Sequence, residues 1–419
     1  MVKTKYLIIG SSHAGLSAAE EIRLNDPEGS LAMVTMEDIL PYSATVLPYI
    51  VSGKVSPDQI FLRDGAYFEK NRIKFIQGKA VTRVDTKTSE LTLSDGERIG
   101  YEKLLIATGA QPAIPQVENL HNVPFLQLRT MADALKHLEV LHKAKTAAVM
   151  GAGLIGMEAA ENFCHRGIRV HMVEKYPRIL PNYLDDECSQ IIQNVFESHG
   201  VTFNLNNYAT KVDYEKNRFL LTLRDGRWLT TDTLLVCTGI KPRVDFLADS
   251  DLKVDQGILV DGKMRTFVDN IWAAGDVAQA DDFFSELKIL NAILPDAALQ
   301  GKVAGADMSG GRLDADYIGG ILMNTFNFFG NRAFSIGITT PEDEAEYVVS
   351  KIVLPSAHFY QKMIFDGDVL VGMSAMNSNL DPGIIMGLIT KRVHLEKDQA
   401  EFVCNPVNMS RRLMWNFWR

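Results

Sequence analysis

A chain of 419 residues exceeds the roughly 250–300 residues at which a single hydrophobic core stops growing, so two or three domains are expected. The 43 Lys and Arg against 52 Asp and Glu leave a net charge of −9, and no Lys/Arg-rich block interrupts that balance. Phosphate recognition needs a concentrated basic face, so the charge argues against a nucleic-acid partner.

The opening MVKTKYLIIG runs into a short apolar strand closed by Gly10, without the longer apolar region and cleavage site of a secretory signal. No stretch reaches the ~18 uninterrupted apolar residues of a membrane span. We therefore expect a soluble, cytoplasmic protein. After the first strand come Gly10, Ser12 and Gly15, then a helix through SAAEEIR, which is a strand–turn–helix unit with serine at the middle glycine position. The Ser12 Cβ is expected to crowd a pyrophosphate unless the loop shifts. The next strand, LAMVTM, leads to Glu37 and Asp38, which are candidates for ribose hydroxyls, although Thr35 holds the usual strand-end position. Thr108 and Gly109 end the strand in YEKLLIATGAQPAIP, and Pro112, Pro115 and Pro242 mark links between domains.

A second and stronger fingerprint follows the buried-strand run AAVM. Gly151, Gly153 and Gly156 give G-x-G-x-x-G, with Leu154 and Ile155 between the last two. Gly151 allows the tight turn, Gly153 lets backbone approach a pyrophosphate, and Gly156 permits close helix–strand packing. The helix N-terminus then presents unpaired N–H groups and a positive dipole end to the phosphates. Strand IRVHMVE ends in Glu174, which can accept from ribose hydroxyls and repel a 2′-phosphate, so NAD(H) is expected over NADP(H). Thr238 and Gly239 repeat the Thr-Gly strand end. Gly275 and Asp276 follow the strand in NIWAAGDVA, where an Asp can hydrogen-bond the ribityl chain or phosphate region of a flavin.

The final part reads as strands, AEYVVSKIVL and YQKMIFDGDVLVGMSAM, with Asp366-Gly367 as a hairpin turn and Pro382 opening a helix. Phe326, Phe328 and Phe329 in GGILMNTFNFFG read as core more than interface. The tail SRRLMWNFWR, with Trp415, Phe417, Trp418 and Arg411, Arg412 and Arg419, reads as internal or homodimer packing, as a redox-partner dock, or as a membrane-surface contact that the net charge and short length disfavour. The four cysteines, Cys164, Cys188, Cys237 and Cys404, have neither redox-pair nor metal-ligand spacing, and no metal is expected. Such sparse usage fits a reducing compartment.

The ordered motifs GSSHAG, ATG, GAGLIGME, CTG and AAGDVA resemble those of the FAD-dependent pyridine nucleotide–disulfide oxidoreductase superfamily over nearly the whole chain. The resemblance implies an α/β fold of two Rossmann-like dinucleotide-binding domains plus a C-terminal α+β domain. A split FAD-binding domain would comprise residues 1–113 and 243–312, an NAD-binding domain 114–242, and an interface domain 313–419. It implies FAD and NAD(H) as cofactors, with Gly10, Ser12, His13, Ala14, Gly15, Glu37, Thr108, Gly109, Gly275 and Asp276 toward FAD. Gly151, Gly153, Leu154, Ile155, Gly156, Glu174, Thr238 and Gly239 would serve NAD(H). Glu158 would lie near nicotinamide and flavin, and LPDAALQGKVAGADMSG would form the helix beneath the flavin.

The closest branch, the NADH oxidases, NADH peroxidases and coenzyme A–disulfide reductases, holds a reactive cysteine in a Cys-x-Leu-Pro-Tyr context. Here Thr45 stands before Val46-Leu47-Pro48-Tyr49, and a threonine hydroxyl forms neither a sulfenic acid nor a disulfide. His13 has two readings, a polar residue at a helix start or an imidazole tuning the flavin. With Glu158, Thr45 and His13 as candidate catalytic residues, the chain reads as an FAD-dependent NAD(H):acceptor oxidoreductase. It would move a hydride between NAD(H) and FAD and single electrons to or from an iron–sulfur partner, as in rubredoxin and ferredoxin reductases. It would act in a homodimer or a larger complex, as in the FAD subunit of a multi-subunit aldehyde oxidoreductase. The rivals are a stand-alone NADH oxidase and a non-catalytic nucleotide-binding module.

Overall fold

The structure, a computed structural model, describes residues 2–312, 316–341 and 343–417. The chain forms two compact units, Met1–Gln111 with Ile240–Ile321, and Pro112–Gly239 with Leu322–Arg419.

In the first unit, strands Ile73–Ile76, Leu31–Val34, Val2–Ile9 and Arg98–Ile106 lie side by side in parallel, and Ile271–Ala273 continues the parallel set beyond Arg98–Ile106. Leu31–Val34 is buried throughout, the continuous apolar run expected of a sheet covered on both faces. An antiparallel hairpin, Val81–Asp85 with Glu90–Leu93, attaches to the early part of Arg98–Ile106. The helix His13–Asn25 buries Leu16, Ala18, Ala19 and Ile22. It crosses the helix Leu294–Ser309 at small residues. A Cβ on Gly301 would sit 2.2 Å from the Ala14 carbonyl oxygen, and one on Gly305 2.5 Å from that of Ala18. Glycine is required at both positions because the two backbones touch.

In the second unit, Val201–Asn204, Arg169–Val173, Thr146–Met150 and Thr233–Val236 form a four-stranded parallel sheet. A three-stranded antiparallel sheet, Ala209–Glu215, Arg218–Leu223 and Trp228–Thr231, packs its apolar side into the same core. The last hundred residues add a five-stranded antiparallel sheet in the order Met323–Phe328, Asn331–Gly337, Val369–Met376, Phe359–Asp366, Val348–Leu354. Asp366 faces Val369 across the expected Asp-Gly turn, and Gly367 has φ +60°. Pro382 opens the helix Pro382–Thr390.

This C-terminal sheet, expected as part of a domain spanning 313–419, packs with the second fingerprint's sheet in one unit. Phe196 stacks on Phe326 and Phe328, and Phe329 lies over the His199 ring at 3.8 Å. The phenylalanines of GGILMNTFNFFG are thus packing residues. Asp185 accepts from the Tyr360 hydroxyl and lies within 3.6 Å of the Lys362 ammonium, a lysine only 1% exposed whose other partner is Glu344. A buried ammonium persists only when paired, so these contacts hold strand and helix in register. In the tail helix Pro406–Phe417, Met409 and Leu413 are buried while Trp415 is 63% exposed. Trp418 and Arg419 lie outside the described residues. Among the described residues no helix is long and apolar enough to cross a membrane.

Candidate functional site

Ligands of open parallel sheets sit beyond the carboxyl ends of the strands, and the candidate residues collect there in each unit. In the first unit Gly10 takes φ +108°, with an imagined Cβ 2.1 Å from the Ala107 carbonyl oxygen, and a Cβ on Gly15 would meet the Gly10 oxygen at 2.0 Å. These two glycines let strand, turn and helix close on one another. Ser12 is the helix N-cap at φ −86°, ψ −162°, extended backbone that suits an L-residue, so serine replaces glycine there without strain. Its hydroxyl makes no capping bond.

That absence has counterparts. Gly153 and Ile293, the N-caps of Leu154–His165 and Leu294–Ser309, likewise supply no side-chain cap. The helices Met131–Leu141, Asp186–Ser198 and Pro382–Thr390 are capped by the side chains of Thr130, Asp185 and Asp381. First-turn N–H groups need a partner. The short helices Leu47–Ser52 and Gln399–Cys404 also start without a side-chain cap, so the missing cap suits a ligand at the three helix starts that the sequence motifs place at dinucleotides without being peculiar to them.

Around the first fingerprint, Gly275 takes φ +80°, and a Cβ there would lie 3.2 Å from that of Ala14. Its N–H donates to Gln300 Oε1 at 2.8 Å, tying the Gly275–Asp276 turn to the helix Leu294–Ser309. Gln300 Nε2 and the Tyr317 hydroxyl donate to Asp296 at 3.3 and 2.6 Å. Burial pushes the Asp296 carboxyl up to about 6 against those hydrogen bonds. His13 is half-buried, and burial holds its imidazole below the usual range while the Asp276 carboxylate opposes that shift. His13 Nε2 is hydrogen-bonded to Ser43 Oγ at 2.9 Å, and Ser43 Oγ to Thr45 Oγ1 at 2.8 Å. Glu37 accepts from the Tyr42 hydroxyl at 2.8 Å.

In the second unit, a Cβ on Gly151 (φ +101°) would lie 2.3 Å from the Cys237 carbonyl oxygen, and one on Gly156 2.0 Å from the Gly151 oxygen. One on Gly153 meets nothing within 4 Å. That open space beside an uncapped helix start leaves room for a ligand to approach the backbone. Glu174 is buried, and its carboxylate accepts the N–H of Ala152 at 2.7 Å and of Tyr176 at 2.9 Å. It therefore braces the fingerprint loop as well as standing at the strand end. Leu154 is half-buried and Ile155 exposed at the helix start, with Glu158 half-buried one turn on.

Thr108 and Thr238 occupy matching places where the chain leaves each sheet. Thr108 Oγ1 donates to the Arg243 carbonyl at 2.9 Å and Thr238 Oγ1 to that of Ala113 at 2.7 Å, so both hydroxyls fasten backbone. Gly109 and Gly239 beside them have φ +64° and +112°. Sequence reasoning missed Ser43, Gln300, Asp296 and Tyr317, because nothing in their spacing marks them before the fold brings them to the fingerprint.

Residues 4–297 match the family described as pyridine nucleotide-disulphide oxidoreductase. The chain is 41% identical over 417 residues to the NADH-dependent phenylglyoxylate dehydrogenase subunit epsilon of Aromatoleum evansii, covering 99% of this chain and 98% of that one. It is 32% identical to an NADH oxidase of Methanocaldococcus jannaschii, over 73% of this chain and 70% of that one. It is 30% identical to an NADH-rubredoxin oxidoreductase of Clostridium acetobutylicum, over 76% and 77% respectively.

Proposed function

We propose a function for a chain that belongs to the pyridine nucleotide-disulphide oxidoreductase family and is an FAD-dependent NAD(H) oxidoreductase: it is the subunit through which a multi-subunit, iron–sulfur-containing dehydrogenase exchanges electrons with NAD(H). The observation that carries the reading is Thr45. Cys164, Cys188, Cys237 and Cys404 all lie outside Met1–Gln111 and Ile240–Ile321, so the unit bearing the first fingerprint has no thiol. Burial raises the Cys164 thiol to about 11 and the Cys237 thiol to about 12, far from the thiolate that disulfide or peroxide chemistry requires. Electrons must then leave as they would from a reductase of an iron–sulfur protein. Near-complete coverage of a named dehydrogenase subunit supports a partner within a complex.

When bound, FAD supplies the two-electron to one-electron conversion. The protein's own part is binding and orientation. Gly10, Gly15 and the uncapped start of His13–Asn25 would hold the FAD pyrophosphate, Glu37 the adenosine ribose, and Asp276 the ribityl region. Gly153 and the start of Leu154–His165 would hold the NAD(H) pyrophosphate, with Glu174 excluding a 2′-phosphate. Glu158 is assigned to the nicotinamide end. All four cysteines are free, which suits a reducing, cytoplasmic compartment.

The similarity to an NADH oxidase favours dioxygen as the second reading. Purified protein carrying FAD, mixed with NADH without oxygen, tests both. The flavin's visible band should bleach, then return fast with ferricyanide and slowly with air. Equal rates with air and ferricyanide would select the oxidase, and failure to bleach would overturn hydride transfer.

A further inference from the structure

We propose that Ser43 and Thr45, with His13, form a proton relay that serves electron transfer to one-electron acceptors. The proposal rests on the electron-transfer reading above. For each NADH consumed, two acceptors each gain one electron and one proton is discharged to water (NADH → NAD+ + H+ + 2 e−). Passing electrons singly to an iron–sulfur partner leaves that proton behind in the first unit, where something must carry it out.

The path consists of three side chains, with the most buried of them in the middle. His13 is half-buried at the first turn of the fingerprint helix and under the influence of Asp276. Ser43 is 7% exposed, and Thr45 is exposed. The hydrogen bonds joining them, 2.9 and 2.8 Å, lead from the half-buried imidazole through the buried Ser43 hydroxyl to the exposed Thr45. Ser43 stands at the N-cap of the turn Ala44–Val46, where a serine ordinarily caps backbone, yet it makes no capping bond. Its hydroxyl is spent on His13 and Thr45. Imidazole and hydroxyl groups both donate and accept, the property each member of a relay needs and a structural cap does not.

With the proton on Nε2, His13 takes the released proton at Nδ1. The Nε2–H bond then breaks as a new O–H bond forms on Ser43. Ser43's former proton moves to Thr45 Oγ1, and Thr45's to water. Rotation of the two hydroxyls and return of the imidazole proton reset the chain. Electron flow toward NAD+ runs the same steps inward. Threonine at position 45 therefore has a chemical role of its own, as the solvent end of the path. His13, Ser43 and Thr45 act on the proton only and are positioned by the helix and turn that carry them.

The test uses the FAD-loaded full chain, reduced anaerobically with one equivalent of NADH and then mixed with two equivalents of ferricyanide in weak buffer containing a pH-indicator dye. Flavin absorbance reports the electrons and dye absorbance the proton. In the natural protein the two traces should coincide. In Ser43→Ala and Thr45→Val the proton should lag the electrons by about tenfold or more, below the roughly 10²–10⁴ of fully positioned transfer because water substitutes in part. Thr45→Ser should abolish the lag, and free imidazole should shorten it in Ser43→Ala. A purely structural role for Ser43 would move neither rescue. Thr45 is exposed, so its two variants keep the test decisive should Ser43→Ala fold poorly. Coincident traces in both Ser43→Ala and Thr45→Val overturn the relay. Failure of NADH to bleach the natural protein overturns the functional reading instead.

Discussion

The three glycines of the second fingerprint divide into two that the fold needs and one that it does not, and alanine substitution should separate them. At Gly156 a methyl group would lie 2.0 Å from the Gly151 oxygen, about 1 Å inside any tolerated contact, and backbone on both sides leaves no soft atom to yield. We expect Gly156→Ala to cost about 1–3 kcal/mol or more of stability, the range of overpacked cores. At Gly153 a methyl group meets nothing within 4 Å, and φ is −77°. The unfolded chain loses about 0.4–1 kcal/mol of entropy with alanine. The slightly poorer N-cap offsets this, so the melting temperature should move by no more than a few degrees. If the open space holds the NAD(H) pyrophosphate, the same methyl displaces it from one N–H bond. That costs about 1.5–3 kcal/mol for a charge-assisted bond. NADH affinity should then fall roughly 10- to 150-fold. Thermal unfolding without ligand and NADH titration by fluorescence measure the two effects separately. Unchanged NADH affinity in a stably folded Gly153→Ala would refute the assignment of that space to the pyrophosphate.

Glu174→Ala should lower the melting temperature, because the buried N–H of Ala152 and the part-buried N–H of Tyr176 lose their acceptor at about 1–3 kcal/mol for the buried one, and should narrow the preference for NADH over NADPH, because the carboxylate that repels a 2′-phosphate is gone. An unchanged ratio of NADH to NADPH affinity in a folded variant would contradict that role. His137 is fully buried with Nε2 on the Gln127 carbonyl, and burial pushes its imidazole down to about 4. A histidine that resists protonation when folded loses stability as pH falls. Unfolding at pH 4 should be easier than at pH 7 by up to about 3 kcal/mol from this residue, a difference that chemical denaturation of His137→Leu should not show. Asp296 has the opposite sign: its carboxyl is raised to about 6, so its contribution is present at pH 4 and fades as pH climbs through 6. Asp296→Asn should therefore be more stable than the natural chain at pH 8 and equal to it near pH 4, and equal denaturation midpoints at pH 8 would count against a strained carboxylate.

What the sequence shows of this molecule is governed by how far apart the cooperating residues lie. Gly10 and Gly15, or Gly151 and Gly156, meet within one turn, so their spacing alone states the steric requirement that the structure displays as a 2.0 Å clash for a Cβ on Gly15 or Gly156, whereas the clashes at Gly10 and Gly151 are with the distant Ala107 and Cys237 carbonyls. The Asp366-Gly367 hairpin and the helix opened by Pro382 are equally local. The packing of the last hundred residues onto the second sheet depends on Phe196 meeting Phe326, and on Asp185 meeting Tyr360 and Lys362, pairs more than a hundred residues apart that no periodicity connects. Ser43 falls between these cases. Its partner Thr45 is two residues away, but His13 is thirty, and only closure of the sheet brings the imidazole to the hydroxyl. The helix caps show the same limit. Thr130, Asp185 and Asp381 are readable as caps in any sequence, whereas the missing cap at Ser12 acquires meaning only beside those at Gly153 and Ile293. A serine that declines to cap its own helix is a bland residue in a string of letters. At the mouth of a parallel sheet, with two other uncapped helices at sites of the same kind, it leaves first-turn N–H groups that suit a ligand, the role we propose for them.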